Sequence, residues 1–258
     1  MFAAIAGDMI GSVHEQAHIK RLNFKLFNQN SSFTDDSVLT VAVADALLTG
    51  RPYDERIRHW ARAHPLRGYG GMFRQWMRQD DAPPYNSYGN GSAMRVSPVG
   101  WAFHRAKEVL DAAEASARVT HDHPEGIKGA QAVALAIFLA RKGAERKAIR
   151  AEIEARFDYD LSRTIARIRP SYAFDVTCQG SVPEAIIAAL EATDVEHAIR
   201  LAVSLGGDAD TQACIAASIA EARFGPPPEA LRLEVETRLD PDMLAIVEQF
   251  EARYGPHT

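Results

Sequence analysis

The sequence predicts an all-α fold: a compact bundle of many helices in a single domain spanning residues 1–258. Three observations carry that prediction. Apolar residues recur at three- and four-residue steps through long stretches, segments alternating with period two are nearly absent, and alanine is abundant in the periodic stretches. Alanine favours the helix and lets neighbouring helices approach closely.

Taken in order, the helical period runs through residues 38–48, 129–139, 182–190, 195–205 and 211–222. Their ends carry stop and start signals. Thr34 precedes Asp35 and Asp36, and Thr193-Asp194 precedes Val195, as N-caps do; Gly50 closes the first helix, and Gly225 with Pro226, Pro227 and Pro228 closes the last. The longest non-periodic stretch, residues 68–100, holds Pro83, Pro84, Gly89 and Gly91 and is too long for a mere connector, so it predicts a site-forming loop. No internal repeat, low-complexity tract or linker divides the chain.

Bulk composition excludes several classes. A chain of 258 residues with 47% hydrophobic residues can build one sizeable core. The balance of 29 basic against 34 acidic side chains leaves a net charge of -5, which offers no cationic field for a phosphate backbone, so nucleic acid is not favoured as a partner. Cys178 and Cys214 form neither a C-x-x-C motif nor a disulfide framework, and free thiols are expected. Residues 1–10 are apolar but lack a basic leader and include Asp8, and no later run approaches the ~18 uncharged residues of a membrane span. These features predict a cytoplasmic protein without a membrane partner, with a monomer favoured.

Two acidic clusters stand at helix starts. Thr34, Asp35, Asp36 and Ser37 open the first periodic helix, and Gly206-Gly207-Asp208-Ala209-Asp210-Thr211 opens the last. Each is explained by capping, since hydroxyls and carboxylates satisfy exposed amides and suit the positive dipole end. Together they also fit hard divalent cations, which take oxygen ligands without sulfur or imidazole, and Mg²⁺ or Mn²⁺ is the natural occupant. Carboxylates converging without cations would repel one another and raise at least one pKa.

A wider set of motifs resembles the ADP-ribosylglycohydrolase family, which includes the enzyme that reactivates dinitrogenase reductase. The matching residues are Gly7-Asp8-Met9-Ile10-Gly11 with Glu15, Thr34-Asp35-Asp36-Ser37, Tyr88-Gly89-Asn90-Gly91-Ser92-Ala93-Met94-Arg95, Thr120-His121 followed by Gly129-Ala130, and Gly207-Asp208-Ala209-Asp210-Thr211. They keep the family's order from residue 3 to about 225. The resemblance implies an orthogonal helical bundle with two Mg²⁺ or Mn²⁺ ions at the base of a cleft. It assigns Thr34, Asp35, Asp36, Asp208, Asp210 and Thr211 as metal ligands. Glu15 matches an acidic residue on a mobile loop beside the metals, and Asp8 is expected to support that loop. Ser37 stands where Thr is commoner, which keeps the hydroxyl.

The same resemblance assigns Ser87, Tyr88, Gly89, Asn90, Gly91, Ser92 and His121 to substrate binding. Glycines flanking Asn90 suit close backbone approach to a ligand, although a tight turn explains them too. Asn90 and Ser92 are expected to donate to diphosphate or ribose oxygens. Tyr88 resembles a residue stacked on adenine, and His121 one packed near the same ring. Arg95 serves either as a loop brace or as a phosphate contact. The segment from Cys178 to Ala185 looks like the family's serine-valine-proline-glutamate helix start, with Pro183 in the first turn and Glu184 favouring the dipole. Cys178 is assigned no catalytic role.

The implied reaction is hydrolysis of the N- or O-glycosidic bond between ADP-ribose and an acceptor on a protein or small molecule. Arginine is the first acceptor considered, with serine and O-acetyl-ADP-ribose next. Glu15, Asp35 or Asp36 would orient or deprotonate the attacking water. Asp80 and Asp81 are read as solvated loop charges rather than as contacts for a guanidinium. Two rivals remain: a two-metal phosphohydrolase, which would release AMP or phosphate, and a non-catalytic protein that only binds ADP-ribose.

Overall fold

The apolar period resolves into fifteen helices among residues 1–255, the part of the chain that this computed structural model describes. The first six are α1 (Phe2–Gly11), α2 (Asp35–Thr49), α3 (Tyr53–Ala63), α4 (Gly71–Trp76), α5 (Gly91–Met94) and α6 (Ser97–Ala102). The middle of the chain forms α7 (Ala106–Arg118), α8 (Pro124–Arg141), α9 (Arg146–Phe157), α10 (Ile165–Ile168) and α11 (Cys178–Glu191). The last four are α12 (Val195–Val203), α13 (Ala209–Phe224), α14 (Glu229–Arg238) and α15 (Pro241–Tyr254). Among the described residues, extended pairing is confined to an isolated antiparallel bridge between Gly89 and Thr177.

The centre of the bundle is built by small residues. Every residue of α1 is buried, and α13 is buried continuously from Ala209 to Glu221. Their backbones touch because Gly7 and Gly11 of α1 carry no Cβ on the facing side. A Cβ at Gly7 would lie 2.4 Å from the carbonyl oxygen of Ala213, and one at Gly11 would lie 2.4 Å from that of Ala209. Gly100 does the same for α6 on α8, where a Cβ would stand 2.6 Å from Ile137. One continuous apolar cluster then extends through α2, α8, α11 and α12 to Phe250 of α15.

All five periodic stretches lie in helices, four of them wholly so: 38–48 in α2, 129–139 in α8, 182–190 in α11 and 211–222 in α13. The stretch 195–205 is helical to Val203, its last two residues forming a turn. Gly50 ends α2 in the left-handed region at φ 69°, and Gly225 ends α13 at φ 92°. Thr34 caps α2 by accepting from Asp36 N–H, and Asp194 caps α12 by accepting from His197 N–H.

Two expectations are corrected. Residues 68–100 are not one irregular loop, because α4, α5 and the start of α6 lie within them. Pro183 is not in a first turn: α11 begins at Cys178, capped by Thr177, which accepts from Gly180 N–H, so Pro183 lies inside the helix. Glu184 accordingly serves no N-terminal dipole and pairs with Arg163 at 2.8 Å. No helix among the described residues is long and apolar enough to cross a membrane.

Candidate active site

The close packing of α1 on α13 brings the starts of α2 and α13 to one place, and Asp8 of α1 organises the junction. Fully buried, it accepts from Thr34 N–H at 2.9 Å, Thr34 Oγ1 at 2.7 Å and Ser37 N–H at 3.1 Å, and also from the Ser37 hydroxyl. Asp8 therefore holds the first turn of α2, which differs from the expected support of the Glu15 segment. That segment is tied elsewhere, with His18 Nδ1 3.1 Å from the Gly206 carbonyl oxygen ahead of α13.

Two carboxylate triplets result, Asp8 with Asp36 and Asp210, and Glu15 with Asp208 and Asp210; in each, one oxygen per residue lies within 4.8 Å of the others. Thr211 Oγ1 donates to Asp36 Oδ2 at 3.3 Å, linking the two clusters directly. Asn90 Nδ2 donates to Asp208 Oδ2 at 2.7 Å and to Ser181 Oγ at 3.2 Å, joining the loop to the second cluster.

The electrostatics are those of like charges crowded in a dry place. Burial first, then Asp8, pushes Asp35 up to about 8. Asp36 is raised by burial and by Asp8 and Asp35, and Asp210 by burial and by Asp208 and Asp36. Burial also raises Asp208, opposed by the hydrogen bonds it makes, and raises Glu15, with Asp208 adding to the effect. Asp36 Oδ1 is buried without a hydrogen-bond partner, an acceptor left open inside the cluster. Capping explains Thr34 but not Asp208, which stands at the N-cap of α13 and makes no side-chain capping bond. An all-oxygen donor set with an open buried oxygen and mutual repulsion fits hard divalent cations.

A cavity of about 480 Å³ opens over these residues. Glu15, Thr34, Asp35, Asp36, Asp208, Asp210 and Thr211 line it, together with Ser87, Tyr88, Gly89, Asn90, Gly91 and His121. Ser92 is the predicted binding residue that does not line it: its buried hydroxyl donates to the Gly126 carbonyl at 2.7 Å and fastens α5 to α8. Tyr88 is 49% exposed, edge-on to His123 at 5.4 Å. His121 is buried against Tyr85 at 6.0 Å, apart from the Tyr88 ring. Asp80 pairs with Arg62 at 2.7 Å, and neither Asp80 nor Asp81 lines the cavity. Cys178 is buried, with its thiol pushed up to about 12 by desolvation, in keeping with a structural role.

Gly68, Gly70 to Phe73 and Tyr85 also border the cavity; they lie in the stretch 68–100 that the sequence marks as site-forming, although none of them stands out there individually. Val176 and Thr177 border it from a segment that carries no such signal. Asp8 is marked in the sequence by the Gly7–Gly11 motif, and its central place has a physical signal as well, a lone carboxylate in an otherwise apolar helix.

The chain is 27% identical over 258 aligned residues to ADP-ribosylhydrolase ARH3 of Danio rerio, covering 75% of this chain and 70% of that protein. It is 30% identical over 175 residues to the Homo sapiens protein of the same name, covering 54% of this chain and 48% of the relative. A solved structure titled ADP-ribosylglycohydrolase-related protein complex superposes with a TM-score of 0.67 over 98% of this chain and 96% of that one, at 24% identity, a likeness of fold. The sequence model of the family described as ADP-ribosylglycohydrolase matches residues 1–255, and the chain belongs to that family.

Proposed function

We propose that this protein hydrolyses the glycosidic bond joining ADP-ribose to an acceptor, with arginine-linked ADP-ribose the first substrate to test and serine-linked and O-acetyl-ADP-ribose next. The observation that carries the proposal is the convergence of Asp35, Asp36, Asp208, Asp210 and Glu15 on one cavity that the loop from Ser87 to Gly91 also borders. Thr34, Asp35, Asp36, Asp208, Asp210 and Thr211 would hold two divalent cations, Mg²⁺ or Mn²⁺. Bound there, such ions supply charge neutralisation and Lewis acidity.

The protein's own groups divide the remaining work. Glu15 is half-buried at the cavity edge, and its carboxylate takes no hydrogen bond within the described residues, which leaves it free to orient the attacking water and take its proton. Asp35 and Asp36 are the other carboxylates suited to that role. Asp8 fixes the Thr34–Ser37 turn, and Asn90 fixes Asp208, so the acidic groups are held before substrate arrives. Gly89 and Gly91 let a ligand approach the backbone, and the half-exposed Tyr88 ring offers an aromatic face at the rim.

The test is a panel of mono-ADP-ribosylated peptides linked through arginine and through serine, plus O-acetyl-ADP-ribose, assayed for released ADP-ribose. Metal-dependent release from at least one conjugate supports the proposal and names the acceptor. Binding of ADP-ribose without turnover on any conjugate would instead identify a binding protein.

A further inference from the structure

The carboxylate of Glu15 takes no hydrogen bond among the described residues, yet one of its oxygens lies within 4.8 Å of an oxygen of Asp208 and of one of Asp210. Like charges at that separation repel, and Asp208 adds to the burial that raises Glu15. What keeps Glu15 in place is therefore its main chain. On one side that chain prolongs α1: Glu15 N–H donates to the Gly11 carbonyl at 3.2 Å, and His18 N–H to that of His14 at 3.2 Å. On the other side, from Gln16 to Lys20, the hydrogen bonds that reach another part of the chain come from two side chains, His18 and Lys20.

Lys20 binds two separate segments. Its ammonium donates to the Tyr172 carbonyl at 2.6 Å and to the Leu205 carbonyl, while His18 Nδ1 lies 3.1 Å from the Gly206 carbonyl oxygen. Leu205 and Gly206 lead directly into Gly207 and Asp208. Tyr172 packs on the same turn: a Cβ on Gly207 would meet its Cε1 at 2.4 Å, and its hydroxyl accepts from Gln212 Nε2 of α13 at 2.9 Å. Gly206 completes the seat, because at φ 66° a Cβ there would stand 2.9 Å from the His18 carbonyl oxygen. Carbonyls only accept and an ammonium only donates, so both Lys20 bonds hold whatever the tautomer of His18.

We propose that Lys20 is the positioning residue for Glu15: by clamping the end of its segment to the Leu205 and Tyr172 carbonyls, it holds the Glu15 carboxylate beside Asp208 against their mutual repulsion. The consequence for catalysis rests on the proposed hydrolysis, whereas the clamp itself does not. Bonds from a charged donor are stronger than neutral ones, and two of them on one side chain restrain the stretch from Glu15 to Lys20. Lys20 does not line the cavity and acts through Glu15.

The experiment follows Lys20→Met, Lys20→Arg and Glu15→Gln in the full chain, by hydrogen–deuterium exchange and by turnover of the ADP-ribose conjugate that the wild type cleaves. Lys20 is exposed, so Lys20→Met is expected to fold. It should exchange faster in residues 12–20 but not in α8 or α11. Its kcat should fall about 10-fold, the effect of charge-assisted hydrogen bonds discounted for an exposed side chain. KM should stay unchanged, since Lys20 acts on the reacting geometry rather than on substrate binding. Lys20→Arg should recover most of both, because a guanidinium also donates to carbonyls. In a Glu15→Gln background Lys20→Met should cost no further turnover, the coupling expected when one residue acts through another. A further loss in that background overturns the proposal. So does unchanged exchange or unchanged turnover in folded Lys20→Met, and so does its global unfolding, which would make the lysine part of the fold's framework. A wild type that cleaves no conjugate overturns the proposed function, and exchange in residues 12–20 then decides the clamp by itself.

Discussion

The carboxylate of Asp8 takes both the backbone N–H and the hydroxyl of Thr34, at 2.9 and 2.7 Å, and so ties the central helix α1 to the first turn of α2. Asp8→Asn would turn an amide NH₂ toward a donor and leave buried groups unpaired, at ~1–3 kcal/mol for each. The expected outcome is a lower melting temperature and a loss of turnover on the order of 10²-fold, because the Thr34–Ser37 turn shifts. Unchanged turnover in a folded Asp8→Asn protein would show that Asp8 does not position the cluster.

Repulsion among the buried carboxylates makes a second prediction, in which stability and activity move in opposite directions. Asp210 is raised by burial and by Asp208 and Asp36, so Asp210→Asn removes an uncomfortable charge. In chelator the variant should match or exceed the wild type in urea denaturation, by ~0.5–2 kcal/mol, while its turnover is lost. Global unfolding of Asp210→Asn would mean that the carboxylate serves the core instead.

His121 supplies a pH dependence of stability. Its folded pKa is depressed by burial first and by Arg95 second, so the unfolded chain binds the extra proton more readily as the pH drops. Its contribution is whole above the ordinary imidazole value of 6.5 and is lost as the pH falls below that toward the folded value. The unfolding free energies of wild type and His121→Gln should therefore converge between about pH 7.5 and about pH 5. A difference that stays constant over this range would place the ring in solvent.

Packing at the helix crossing is tested by Gly7→Ala. The new Cβ would meet the Ala213 carbonyl oxygen at 2.4 Å, and backbone cannot yield as a flexible side chain can. A cost of ~1–3 kcal/mol is expected, read as a shift of the urea midpoint. Because α1 carries Asp8, turnover should fall along with stability.

What the sequence disclosed and what it hid have physical causes. The helices α2, α8, α11 and α13 are dense in alanine and aliphatic residues because they are buried on most sides, and such runs are plain in the sequence. The peripheral helices α3, α7, α9, α14 and α15 bury one stripe and expose many charges, so their period is diluted. The short helices α4 to α6 were masked by the glycines and prolines that punctuate residues 68–100. Both acidic clusters were visible as motifs, yet their meeting depends on Gly7 and Gly11 allowing α1 to lie on α13, a contact with no local signal. Ser92 looked like a ligand residue beside Asn90, but the turn of α5 aims its hydroxyl at Gly126 on α8. Pro183 resembled a first-turn proline because its helix begins at Cys178 with residues that carry no apolar period.

The central claim is that the buried carboxylates serve cleavage at the glycosidic carbon rather than at phosphorus. Mass spectrometry of the products formed from an ADP-ribosylated peptide in Mg²⁺ buffer tests it most directly. The account predicts intact ADP-ribose and unmodified acceptor, with both lost on chelation and in Asp36→Ala. AMP, or free phosphate with the ribose still attached to the acceptor, would contradict it.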